Sequence, residues 1–97
     1  MSAVKLTGRL VCVDDAEAET VLRHLPRHME LTRAEAGCLH FDVEPTGDPR
    51  VWSVSERFVD QAAFDAHQAR VRTSEWGQAT SGIAREYVIE THRDGGQ

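Results

Sequence analysis

The stretch CLHFDVEPTGDPRVWSVSERF, residues 38–58, decides the fold. Its first seven residues alternate, with Leu39, Phe41 and Val43 on one side and His40, Asp42 and Glu44 on the other, as a half-buried strand does. Pro45, Gly47, Asp48 and Pro49 supply turn residues. Arg50 to Phe58 alternates again, placing Trp52, Val54, Glu56 and Phe58 opposite Val51, Ser53, Ser55 and Arg57. Two strands joined by a slightly long turn make an antiparallel hairpin.

Outward from this hairpin the pattern changes period. Upstream, Ala18, Val21, Leu22, Leu25 and Met29 recur at helical spacing. Asp14 and Glu17 have the spacing of a capping box, and acidic groups there suit the positive end of the helix dipole. Pro26 predicts a kink, and Gly37 predicts a left-handed helix end. Ahead of that helix, Ala3 to Val13 reads as a first strand. Downstream, Asp60 caps a second helix through about Arg72, whose stripe Ala63, Phe64, His67 and Val71 faces inward. Thr73 to Gly82, with Trp76, predicts a short irregular helix or a covering loop. Ile83 to Glu90 is a fourth strand. The order β-α-β-β-α-β is the split pattern of an α+β, ferredoxin-like fold, with an antiparallel sheet and both helices on one face. We therefore expect one domain over residues 1–90 and a mobile polar tail over residues 91–97. Apolar residues on both sides of the first and third strands point to a homodimer packed through the open sheet face.

Composition narrows the function. The 97 residues carry 11 Lys and Arg against 16 Asp and Glu, a net charge of −5. A chain this acidic, without a basic block, is unsuited to phosphate backbones or anionic membrane surfaces, so neither nucleic acid nor membrane is expected. Cys12 and Cys38 form no CxxC and are expected as small apolar strand residues. The N-terminus lacks a signal-peptide pattern, and the expected setting is reducing and cytoplasmic. There is no G-x-G-x-x-G and no Walker-type loop to signal a nucleotide or flavin.

Glu35-Ala36-Gly37-Cys38-Leu39 after the first helix, Glu56-Arg57-Phe58 closing a strand, and Phe64-Asp65-Ala66-His67 on the second helix together resemble the antibiotic-biosynthesis monooxygenase domain family. The resemblance extends from the first strand to the fourth and implies a dimeric α+β barrel. It also implies cofactor-free oxidation, in which a phenol or quinol loses a proton and its anion reduces dioxygen. Such a site needs an apolar pocket, a proton acceptor and donors for developing charge. Haem-degrading members use an asparagine-tryptophan-histidine set. The chain contains no asparagine and no tryptophan beside His67, which points away from that branch and toward a quinol-monooxygenase-like or unassigned member.

Candidate residues follow from these two readings. His67, inward on the second helix and at the place where the resemblance puts a pocket histidine, is the candidate base or polar anchor. A packed histidine bonded to strand backbone is the competing interpretation. Glu56 either supports His67 and a substrate hydroxyl or pairs with an arginine such as Arg57 or Arg72. Trp52, Trp76, Tyr87, Phe64 and His28 are candidate walls for a flat aromatic substrate, with Trp76 on a lid. Arg72 is either a clamp for an anionic group or a solvated helix-end cation. His24 and His28 stand one turn apart, but with no HExxH no metal is assigned. The expectation is a monooxygenase acting on a small aromatic or quinol substrate and molecular oxygen, without a cofactor. A non-catalytic dimeric ligand-binding or regulatory module is the alternative, and an isomerase or decarboxylase a third.

Overall fold

A computed structural model describes residues 2–93. The elements run β1 (Ser2–Val11), α1 (Asp15–Arg33), β2 (Cys38–Pro45), β3 (Val51–Phe58), α2 (Gln61–Thr73), α3 (Glu75–Ala79) and β4 (Ala84–Arg93). The four strands pair antiparallel in the order β2-β3-β1-β4, the topology of a ferredoxin-like α+β fold. Among the described residues, no helix is long and apolar enough to cross a membrane.

Capping chemistry sets the helix starts. Asp14 accepts from the Glu17 amide at 2.9 Å, and the Glu17 carboxylate accepts from the Val13 amide at 2.9 Å. Asp60 accepts from the Ala63 amide at 2.8 Å to start α2. The inner sheet face carries Val4, Leu6 and Leu10 of β1 and Trp52, Val54 and Phe58 of β3. With Val21 and Leu25 of α1 and Phe64 of α2, they form one buried core. Fully burying each large apolar side chain contributes about 1.5–3 kcal/mol. Both cysteines are free. Cys12 is buried just past β1, and Cys38 opens β2 half-buried.

The structure corrects several local expectations. α1 ends at Arg33, with Ala34 as its cap, four residues before the expected end at Gly37. Gly37 has no positive φ, so it is not a left-handed terminator. Its lack of a side chain serves packing instead, since a Cβ there would stand 2.4 Å from the Ala63 methyl of α2. In β2 a bulge between Cys38 and His40 pushes Leu39 outward, where it is 55% exposed. That extra residue lets Cys38, opposite Phe58, and Phe41, opposite Glu56, share the inner face. β4 continues beyond Glu90, pairing Thr91, His92 and Arg93 with Val4, Ala3 and Ser2. Those three polar residues look like a tail in sequence, but an edge strand needs no apolar pattern to pair. The rest of the expected tail, residues 94–97, lies outside the described residues. The uncovered sheet face shows Val11, Val51 and Val88 among Lys5, Arg9, Arg57 and Glu86. It is mixed rather than apolar, and the 71% exposed Val13 falls outside β1 altogether.

Gly8 keeps β1 and β4 together. Its φ is +154°, and a Cβ there would stand 2.0 Å from the Glu86 carbonyl oxygen. Gly8→Ala must separate the strands or strain the backbone. It is expected to destabilise by at least about 2 kcal/mol, read as a lower urea midpoint. An unchanged midpoint would show that the strands are not this close.

Candidate active site

A cavity of about 50 Å³ lies between the inner sheet face and the helices. His67 reaches it from α2, His28 from α1, Trp76 from α3, Glu56 from β3, and Arg85 and Tyr87 from β4. The floor is apolar, made by Leu6, Leu10, Val43 and Val54. The His67 ring, 3% exposed, packs 4.8 Å from Phe58 and 6.0 Å from Phe41, centroid to centroid.

The two nitrogens of His67 have different tasks. Nδ1 lies 3.0 Å from Oε1 and 3.3 Å from Oε2 of Glu35. A carboxylate offers only lone pairs, so Nδ1 carries the hydrogen and Nε2 keeps its lone pair. The Arg70 side chain donates through Nε to Glu35 Oε2 and through Nη2 to Thr32 Oγ1 at 3.0 Å, fixing the carboxylate. Nε2 stands 3.8 Å from Oε1 of Glu56. Burial lowers the basicity of His67 below the ordinary 6.5, outweighing the opposing pull of Glu35. The ring is therefore neutral near pH 7 and able to accept a proton.

Glu56 is 6% exposed, and its Oε1 has no hydrogen-bond partner. Burial, reinforced by the negative charge of Glu35, raises its carboxyl from 4.5 to about 7. Burial, with Glu56 adding to it and Arg85 opposing, pushes Tyr87 up to about 12, so its hydroxyl stays a donor. Arg85 is held in place by donating to the carbonyls of Thr80 at 2.8 Å and Ile83 at 2.9 Å. It also donates to Thr80 Oγ1 at 2.8 Å.

The chamber is walled on one side by a stacked pair. The rings of His28 and Trp76 lie 4.5 Å apart and within 3° of parallel. α3 presents Trp76: the Ser74 hydroxyl accepts from the Gly77 amide at 3.0 Å, and Thr80 donates its hydroxyl to the Trp76 carbonyl at 2.7 Å. His28 meets Phe41 edge-on at 5.2 Å, and its Nδ1 has no hydrogen-bond partner. Burial, together with Arg70, Arg85 and, where it is protonated, His67, lowers its basicity to about 3, so the ring is neutral near pH 7.

Of the residues singled out in the sequence, the fold brings His67, Glu56, His28, Trp76 and Tyr87 around one chamber. Three lie away from it. Trp52 is buried core at the hairpin end of β3, Phe64 spends its ring against Phe58 at 5.7 Å, and Arg72 is exposed. Sequence reasoning missed the functional contacts of Glu35, Arg70 and Arg85. Arg85 was within reach of the alternation that finds Tyr87, two residues along the same strand face. Glu35 belongs to the Glu-Ala-Gly-Cys-Leu motif, but its partner His67 is 32 positions away, beyond the reach of any local pattern. The chamber beside His67 is smaller than an aromatic ring. Cavities that hold benzene measure about 150 Å³, whereas a water occupies roughly 30 Å³.

The sequence profile of the family described as antibiotic biosynthesis monooxygenase matches residues 8–79. No curated protein matches the chain. Among solved structures, PA3566 from Pseudomonas aeruginosa is 22% identical with a TM-score of 0.69, over 98% of this chain and 97% of that one. SO0527 from Shewanella oneidensis is 25% identical with a TM-score of 0.64, over 94% and 88%. A structure described as an antibiotic biosynthesis monooxygenase is 20% identical with a TM-score of 0.64, over 99% and 100%.

Proposed function

The chain belongs to the antibiotic biosynthesis monooxygenase family, and from that premise we propose that it is a cofactor-independent monooxygenase of a hydroxylated aromatic or quinol substrate. One observation carries the reading. Two buried polar atoms without partners, Glu56 Oε1 and His28 Nδ1, line the same small chamber as His67. Such atoms cost about 1–3 kcal/mol each unless a ligand satisfies them.

In this reading His67 Nε2 takes the hydroxyl proton of the substrate. Glu35, 20% exposed at its side chain, stabilises the resulting imidazolium and links it to solvent. The quinolate supplies the electrons that dioxygen requires. One oxygen atom is inserted at a ring carbon and the other leaves as water, so quinol plus dioxygen gives hydroxyquinone plus water. All four electrons come from the substrate: two from ring hydroxylation and two from oxidation of quinol to quinone. Protonated Glu56 and the Tyr87 hydroxyl donate to oxygen atoms as negative charge develops on them. The chamber suits water or dioxygen, and the ring enters when Trp76 moves aside. The uncovered sheet face is taken as the seam of the homodimer that the family resemblance implies.

Oxygen uptake against a quinol panel, run with and without air, tests the reading. One dioxygen consumed per quinol, above the rate without protein, with a hydroxyquinone product and no conversion under nitrogen, is the expected result. Conversion under nitrogen would make the protein an isomerase or decarboxylase, and capture without uptake would make it a binding module.

A further inference from the structure

Outside the His28–Trp76 stack a groove of about 460 Å³ runs between α1 and the junction of α2 with α3. Arg23, His24 and Arg27 line it from adjacent turns of α1, and Arg70 and Glu75 line it from the other side. Three arginines against one acid is the reverse of the chain as a whole, in which acids outnumber Lys and Arg by 16 to 11. His28 and Trp76 line both this groove and the His67 chamber, so the two spaces share one wall.

We infer that this groove receives an anionic substituent of the substrate, which makes the preferred substrate a hydroxylated aromatic carrying a carboxylate. The inference deepens the oxidative reading above and rests on it for the fate of the ring. Once Trp76 has moved aside, the ring occupies the chamber side of this shared wall, and the carboxylate sits among Arg23, Arg27 and Arg70 on the groove side. Arg70 is the least exposed of the three, and its bonds to Glu35 and Thr32 fix its plane before any ligand arrives. Arg23 and Arg27 are held only by Glu19 and Glu30 of their own helix, in pairs about 70% exposed. Exposed pairs of this kind are worth under about 1 kcal/mol, so a ligand carboxylate displaces them at little cost. A guanidinium meets a carboxylate with two parallel hydrogen bonds, which gives direction as well as charge.

Gentisate and its methyl ester are both quinols, and the ester lacks this charge and carries one added methyl group. Calorimetric titration of each under nitrogen reads binding without turnover. Gentisate is expected to bind about tenfold tighter than the ester, with the ratio falling as salt is raised. In the double variant Arg23→Gln/Arg27→Gln the ratio should fall toward one. Equal binding of the two compounds, no binding of either, or a preference that survives the double variant overturns the inference. Oxygen uptake is recorded separately. Uptake without a carboxylate preference removes the groove assignment and leaves the oxidative reading. A preference without uptake does the opposite.

Discussion

Converting His67 to Gln is expected to lower kcat by about a hundred- to ten-thousand-fold while leaving the far-ultraviolet circular dichroism spectrum unchanged. Gln fills much of the same volume, so packing around Phe58 and Phe41 survives while the proton acceptor is lost. In the wild type the rate should rise with pH through the His67 ionisation, which burial places below 6.5. Glu35 opposes that lowering, so Glu35→Gln should move this acid limb to still lower pH. A purely structural Glu35 would change stability or kcat without moving the limb. Turnover by His67→Gln at the wild-type rate would remove the imidazole from the chemistry.

The second large effect belongs to Glu56 and concerns stability as well as rate. In the unfolded chain its carboxyl ionises at its ordinary 4.5, whereas in the fold it ionises at about 7. Between these values folding binds a proton, so stability falls as pH rises from 4.5 through 7 and stays reduced above. At about 1.4 kcal/mol per pH unit, the reduction is about 3 kcal/mol. Glu56→Gln removes the ionisation. The stability difference between variant and wild type should therefore shift by about 3 kcal/mol in the variant's favour between pH 4.5 and pH 8. Denaturant titrations across that range measure it, and a pH-independent difference would contradict the burial assigned to Glu56. His28 acts with the opposite sign. Its unfolded ring is protonated below 6.5, but its folded ring resists protonation down to about 3, so stability falls as pH drops below 6.5. Between pH 4.5 and 6.5 the two effects oppose each other, so maximum stability falls within that window. Activity carries a matching signature: if protonated Glu56 donates to substrate, the wild-type rate falls above pH 7. Glu56→Gln, still a donor, should lose that alkaline limb.

Both effects arise at positions where sequence and structure agree on a residue but only the structure explains it. The alternation of residues 51–58 already set Glu56 on the inner face beside Trp52, Val54 and Phe58, and the periodicity of α2 already turned His67 inward. What the pattern did not contain was the company each would keep. From the pattern, Glu56 either supports His67 or pairs with an arginine. In the structure Arg85 is held by Thr80 and Ile83, and Glu56 Oε1 has no hydrogen-bond partner. Arg72, the candidate anion clamp, points to solvent, while Arg70 two residues earlier meets Glu35 and lines the groove. A shift of two positions is about 200° around a helix, enough to exchange an inner face for an outer one.

Strand alternation, helical spacing, caps and turn residues are properties of segments shorter than about ten residues. Element order, the antiparallel hairpin and the inward faces could therefore be read along the chain. The Leu39 bulge, the close approach at Gly37, the Glu35–His67 contact and the volume of the chamber depend on side chains far apart in sequence meeting at van der Waals distance. Close packing decides such meetings to within a fraction of an ångström. Hydrogen-bond satisfaction and the ionisation of buried groups follow from it, so only the tertiary structure could turn an inward histidine into a candidate base.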